Sequence, residues 1–285
     1  KTSLSTLILP KYVTEIGESA FKGCPLGYIA QDDLGSFQFL TIPSSVTKIG
    51  SYAFDSAKYV KFNTLVVPAI SKNAFDTSST GARIFVPEST IDEFISLNNL
   101  NSQFIYHTAM LDDDGRYFIY KYDDGMGIAY VLSNYTSSSS YAVTDHVNYQ
   151  GSSYPVTAIG VNSFRNLNLA YNGTVALILP QTVLYVGDYA FYGLKFNSVG
   201  LDNAKTIGNY SFYNNKFTRI NAGNVTSVGD YAFYGTPATT LATGKLQYIG
   251  NYAFANATNL FSISMGDIKR IGDYAFDNTP NVAKV

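Results

Sequence analysis

The hexad Val228-Gly-Asp-Tyr-Ala-Phe233 recurs with small changes along nearly the whole chain. Its copies read IGESAF (16–21), IGSYAF (49–54), ISKNAF (70–75), IGVNSF (159–164), VGDYAF (186–191), IGNYSF (207–212), IGNYAF (249–254) and IGDYAF (271–276). From 186 onward they start at 186, 207, 228, 249 and 271, a near-constant step of 21 to 22 residues. Such a step is the period of a solenoid, in which one supersecondary unit repeats and only stacking on a neighbour completes the core.

Each hexad has an upstream companion, an apolar alternation often closed by proline: Leu7-Ile-Leu-Pro10, Leu40-Thr-Ile-Pro43, Leu65-Val-Val-Pro68, Ile84-Phe-Val-Pro87 and Leu177-Ile-Leu-Pro180. These runs predict short strands that proline stops. Later repeats lose the proline, and their core-facing strand positions become Val199/Leu201, Ile220/Ala222 and Leu241/Thr243. The hexad's Ile or Val, Ala and Phe meet the strand's apolar side, and each buried Phe or Leu contributes roughly 1.5–3 kcal/mol. The glycine is expected to supply a positive φ. The Asp or Asn after it (Asp188, Asn209, Asp230, Asn251, Asp273) is expected to cap a short α or 3₁₀ turn carrying Tyr-Ala-Phe.

The pattern L-x-I-P-x-x-V-x-x-I-G-x-x-A-F resembles the BspA-like leucine-rich repeat family, found mainly in bacterial surface proteins. The match covers 1–87 and about 156–285, with nine copies of the hexad. It departs at the third copy, which lacks the glycine and has Pro68 only two residues before Ile70. The resemblance implies a right-handed leucine-rich repeat solenoid of β-α or β-3₁₀ units with short parallel strands on its concave face. It also implies a surface or extracellular location and attachment to host matrix or bacterial surface proteins.

Between the arrays the pattern changes. Glu88-Ser-Thr-Ile-Asp-Glu-Phe-Ile-Ser-Leu97 places Ile91, Phe94 and Ile95 on one helical face behind a Thr90/Glu93 capping box, predicting a lid over an open array end at about 88–99. Residues 116–122, 127–132 and 141–147 predict a β-hairpin or meander. The expected domains are therefore a first array over 1–105 with its terminal helix, then a β-rich lead-in over about 106–158 and a second array to 285. The segment 27–38 is an enlarged loop whose Asp32 and Asp33 sit in a solvated turn. No signal peptide is visible at Lys1 and no hexad follows the one at 271–276, so the chain reads as a piece of a longer exported protein.

Chemistry is sparse. With 19 basic and 21 acidic residues scattered along the chain, nothing forms the footprint of a nucleic-acid binder. No apolar run is long enough to span a bilayer. The single cysteine, Cys24, excludes an intramolecular disulfide and a cysteine metal cluster, and reads as a small buried residue. Asp112-Asp-Asp-Gly115 and Asp123-Asp-Gly125 are fragments of a calcium loop without its spaced acids or closing glutamate, so hairpin turns explain them. His107 and His146 have no legible partners, and Ser137 to Ser140 is low-complexity loop. We therefore expect no catalytic residue, metal or cofactor.

Two features can carry binding. The strand positions facing away from the core form the candidate face: Phe39, Thr41, Arg83, Phe85, Ile178, Ser198, Arg219, Asn221, Thr240, Ser262 and Ser264, together with Thr6, Ile8 and Ala176. The tyrosine series Tyr52, Tyr189, Tyr210, Tyr231, Tyr252 and Tyr274 suits interfaces and sugar stacking, though repeat stacking alone produces the same spacing. The expected activity is non-enzymatic adhesion to, or recognition of, an extracellular protein through that concave face or the protruding cap hairpin. A glycan-binding accessory module and a structural spacer are the alternatives.

Overall fold

The computed structural model describes residues 4–29, 37–76, 82–98, 105–107, 110–114, 116–122, 124–131, 140–165 and 175–282. They fall into two compact units, Lys1–Ala109 and Met110–Val285.

The second unit is a β-solenoid with two strand sets per coil. One set is the upstream companion: Ser140–Ala142, Val175–Ile178 and Phe196–Val199 pair in parallel, as do Arg219–Asn221, Thr240–Ala242 and Ser262–Ser264. The other is the start of each hexad, where Tyr185–Val186, Thr206–Ile207, Ser227–Val228, Tyr248–Ile249 and Arg270–Ile271 continue a parallel ladder from Ser152–Ile159. The core lies between the sets. Phe164, Phe191, Phe212, Phe233, Phe254 and Phe276 stack in one column with centroids 4.8–5.4 Å apart. Val199, Leu201, Ile220, Ala222, Leu241 and Thr243 are buried, as the alternation predicts.

The rest of the hexad is not helical. Residues after the glycine form turns whose amides point along the stack. Tyr210 and Phe212 donate to Asp230 and Ala232 of the next coil at 2.8 and 2.9 Å, and Tyr231 and Phe233 repeat the contact with Asn251 and Ala253. To aim both amides one way, the residue that carries the first of them, two after the glycine, turns left-handed: Ser19, Tyr52, Asn162, Tyr189, Tyr210, Tyr231, Tyr252 and Tyr274 have φ of 54–60°. The positive φ thus belongs to the tyrosine position, not to the glycine.

The glycine answers to a close approach instead. A Cβ on Gly229 would lie 2.6 Å from Asn209 Oδ1 and 2.7 Å from its backbone nitrogen; one on Gly208 would lie 2.5 Å from Asp188 Oδ1. Those oxygens are there because the Asp/Asn series bridges coils rather than capping its own turn. Asp188 Oδ1 accepts the Asn209 N–H at 2.6 Å, Asn209 Oδ1 the Asp230 N–H at 2.7 Å, Asp230 Oδ1 the Asn251 N–H at 2.6 Å, and Asn251 Oδ1 the Asp273 N–H at 2.7 Å. Acid and amide alternate along this ladder, and Asn209 Nδ2 donates to Asp188 Oδ2 at 3.1 Å.

At the start of this unit Tyr117–Tyr122 and Gly125–Val131 form the expected antiparallel hairpin. The expected third strand is divided. Ser140–Ala142 joins the array beside Val175–Ile178, and His146–Tyr149 pairs antiparallel with Ser152–Ile159. The Ser-rich stretch 132–139 lies outside the described residues.

The first unit repeats the plan with fewer coils. Glu15–Ile16, Lys48–Ile49 and Ala69–Ile70 form the hexad ladder. Leu40–Ile42, Tyr59–Phe62, Arg83–Val86 and Ile105–His107 form the other sheet. Two expected strands differ. Leu7 to Pro10 is not part of a strand, and the middle coil uses Tyr59–Phe62 rather than 65–68, whose Leu65 and Val66 are exposed. The helix Ile91–Asn98, preceded by a 3₁₀ turn Glu88–Thr90, crosses between the last two parallel strands. Its buried Phe94 meets the Phe62 ring at 4.9 Å. Thr90 Oγ1 donates to the Pro87 carbonyl at 2.7 Å. Tyr28–Ile29 and Phe37–Gln38 pair across the enlarged loop, whose Asp32 and Asp33 lie outside the described residues.

Truncating the stack should show its cost in chemical denaturation. Phe233→Ala is expected to lose about 3–5 kcal/mol, whereas Ser262→Ala stays within about 0.5 kcal/mol. Gly229→Ala should cost about 1–3 kcal/mol through crowding, while Gly223→Ala, with open space around its Cβ, should cost less.

Candidate functional site: the outward side of the strand sheets

Side chains alternate across a strand, so each sheet that seals the core also presents its other side outward. In the second unit Ile178, Ser198, Arg219, Asn221, Ser262 and Ser264 are exposed and Thr240 is half-buried. Register aligns Arg219 with Thr240 and Ser262, and Asn221 with Ala242 and Ser264, giving a strip of small polar groups with Arg219 at one edge.

In the first unit Thr41 is exposed and Phe39 and Arg83 are half-buried. Phe85 differs from expectation. It is 0% exposed, because the Phe39 ring covers it edge-on at 5.3 Å and Lys61 lies opposite it in register. Lys61 Nζ sits 5.9 Å from the Phe39 centroid, and the Arg83 guanidinium sits 6.0 Å from that of Tyr59. Burial pulls the Lys61 ammonium below the ordinary lysine value. Beside this cluster an open groove of about 350 Å³ runs between Leu7, Ile8 and Leu9 on one side and Phe39, Thr41, Pro43, Ser44 and Asn63 on the other. Tyr59, Lys61 and Asn63 escape the sequence reading because the apolar run 65–68 masks the true strand; the alternation Tyr59-Val-Lys-Phe62 is the signal that marks it.

The tyrosines line the opposite, hexad side as a wall. Tyr189, Tyr210, Tyr231, Tyr252 and Tyr274 stack with centroids 4.7–4.9 Å apart. A second column, Tyr192, Tyr213 and Tyr234, stacks at 4.9–5.0 Å beside it. This column is the Tyr of Y-x-F-Y, readable in the repeats at 189–192, 210–213 and 231–234. The Arg165 guanidinium closes one end, 4.9 Å from Tyr189 and 4.2 Å from Tyr192. Inside the columns the ring faces are spent on one another, so the wall offers hydroxyls and edges there, while the terminal Tyr274 is 63% exposed. Burial first, then the neighbouring phenols, push Tyr210 up to about 12 and raise Tyr213.

The first acidic turn is held mainly by backbone amides, and Asp123 of the second lies outside the described residues. Asp112 Oδ1 accepts the Arg116 and Tyr117 amides, both at 2.8 Å, and Asp113 accepts those of Gln150 and Gly151 at 2.9 Å. Asp114 pairs with Arg116 at 2.7 Å. Among the described residues no group of three or more His, Cys, Asp or Glu is placed to hold a metal. His146 lies exposed beside Asp145, Cys24 is half-buried, and the side chain of His107 is outside the described residues. No helix among the described residues is long and apolar enough to cross a membrane.

Stacked coils of this period, all but one closed by an Ile/Val-Gly hexad, match the model of the BspA type leucine rich repeat region in six copies, over residues 30–108 and 157–283. The chain belongs to the BspA-type leucine-rich repeat family. No curated protein matches it. Among solved structures it is similar to a leucine-rich repeat protein from Bacteroides ovatus, with 21% identity, a TM-score of 0.48, and coverage of 58% of this chain and 44% of that one. A leucine rich cell surface protein from Faecalibacterium prausnitzii gives 20%, 0.36, and 56% and 55%. The pneumococcal vaccine antigen PcpA gives 14%, 0.38, and 95% and 65%. The chain spans about half the length of the first two. At these identities and TM-scores the family model alone carries the assignment.

The raised phenol of Tyr210 links folding to alkaline pH. Below about pH 10 a phenol is protonated in folded and unfolded chains alike, and no stability is lost. Above it the unfolded chain releases the proton that Tyr210 retains to about 12, so stability falls as pH rises across that window. Denaturation at rising pH is expected to show this loss, and Tyr210→Phe should flatten it.

Proposed function

We infer that this BspA-type chain is a non-enzymatic recognition module of an exported, surface-displayed protein, and that it docks an extracellular protein, from host matrix or a bacterial surface, through the outward side of its strand sheets. The supporting observation is the division of labour between its two sides. The hexad side spends its rings, carboxylates and amides on neighbouring coils, whereas the strand side leaves Thr41, Arg219, Asn221, Ser262 and Ser264 facing outward. An extended, register-locked surface of this kind is what solenoids use for large partners. The domain reading belongs to the same proposal: a first array with its helix, and a second array with a β-rich lead-in, each presenting its own sheet.

A binding screen of the purified chain against extracellular-matrix proteins and a glycan panel at fixed salt tests this. Saturable protein binding that falls in the double variant Arg219→Ala with Asn221→Ala is the expected result. Glycan binding without protein binding would replace the reading with a glycan-binding module. Silence on both panels, with the double variant indistinguishable, would favour a spacer.

A further inference from the structure

The outward side of the first unit's sheet has a chemistry of its own. Its strands Leu40–Ile42, Tyr59–Phe62 and Arg83–Val86 carry two ionisable cations, Lys61 and Arg83, and no acidic residue. The chain as a whole has more acids than bases, so this sheet is set apart in sign. Lys61 is half-buried between Phe39 and Phe85, and neither ion pair found among the described residues involves it. Holding an ammonium partly out of water with no carboxylate among the described residues paired to it costs free energy that an incoming anion would recover. Its depressed pKa reports the same cost.

Next to Lys61 in register is Thr41, which lines the groove of about 350 Å³. Leu7, Ile8, Leu9, Phe39 and Pro43 line that groove together with Thr41, Ser44 and Asn63, and its rim residue Ile8 is 88% exposed. Cation and apolar slot therefore lie side by side on one sheet.

We propose that this patch, Lys61 with Phe39, Arg83 and the groove at Ile8 and Thr41, binds an acidic, apolar-bearing peptide segment of a partner protein, a carboxylate meeting Lys61 and an aliphatic side chain entering the groove. The proposal rests on the recognition reading above and names its partner chemistry in the first unit. A peptide fits better than an acidic sugar because the Phe39 ring is already engaged, edge-on with Phe85 and under the Lys61 ammonium. A pyranose would need a free ring face, whereas a leucine needs only the slot. The Lys61 ammonium also steers an anionic segment inward and makes its capture salt-dependent.

The test uses the full chain and short labelled peptides. One alternates glutamate and leucine, one lysine and leucine, and one glutamate and serine; polygalacturonate serves as an anionic glycan. The glutamate–leucine peptide should bind saturably and weaken as salt rises. Its affinity should fall at least about tenfold in Lys61→Met and in Thr41→Glu. Thr41→Glu adds repulsion at an exposed position, so its effect is readable with the fold intact by circular dichroism. Equal binding of the lysine–leucine peptide, unchanged affinity in both variants, or no peptide binding would overturn the proposal. Polygalacturonate binding without peptide binding would overturn it in favour of a glycan. Matrix-protein binding that persists in Lys61→Met and Thr41→Glu would sink this inference alone and leave the broader recognition reading standing.

Discussion

Everything in the second unit depends on how closely one coil approaches the next at the hexad glycine. Because no Cβ intervenes, the Asp or Asn of one coil reaches the amide of the next at 2.6–2.7 Å. That contact sets the translation between coils, and the ring columns follow it. Phenylalanines spaced near 5.3 Å inside and tyrosines near 4.8 Å outside are consequences of one backbone step. The left-handed tyrosine belongs to the same economy. A non-glycine residue in that region costs on the order of 1 kcal/mol, offset here by two backbone amides aimed at the next coil and by a ring packed on its neighbour.

The first unit shows what happens when the device lapses. Its hexads carry Glu18, Ser51 and Lys72 where the second unit alternates acid and amide, and its third copy has Ser71 in place of glycine. The side-chain ladder is gone, while the backbone amides still bridge coils from Ser19 to Ser51 and from Tyr52 to Asn73, and the phenylalanine column continues, Phe21 on Phe54 and Phe54 on Phe75, before the helix adds Phe94. With fewer repeated contacts to satisfy, this array is less uniform. Its outward sheet departs furthest from the small polar strip of the other unit.

The period, the hexad and the inward parity of Val199, Ile220 and Leu241 were legible in the sequence because burial imposes them on every coil. The helical face of Ile91 and Phe94 was legible for the same reason. The role of the glycine was not, since a close approach and a positive φ leave the same residue in the same place; only a neighbouring coil distinguishes them. The strand at 59–62 was hidden by a better apolar run at 65–68, where exposed Leu65 and Val66 imitate a core pattern. Phe85 was assigned by alternation to the outward side, and register does place it there. Its burial comes from Phe39, a residue contributed by another coil, and no single-strand pattern carries that information.

The alternation of acid and amide along Asp188, Asn209, Asp230, Asn251 and Asp273 gives the array a memory of its own length. Losing two adjacent coils leaves acid still resting on amide. Losing the coil of Asn209 alone would seat Asp230 directly on Asp188, two carboxylates where one oxygen and one amide now meet. Losing that of Asn251 would do the same to Asp230 and Asp273. Losing the coil of Asp230 would instead seat Asn251 on Asn209, amide on amide with no charge to repel. The ladder therefore resists the loss of an amide coil more than the loss of an acid coil or of two adjacent coils.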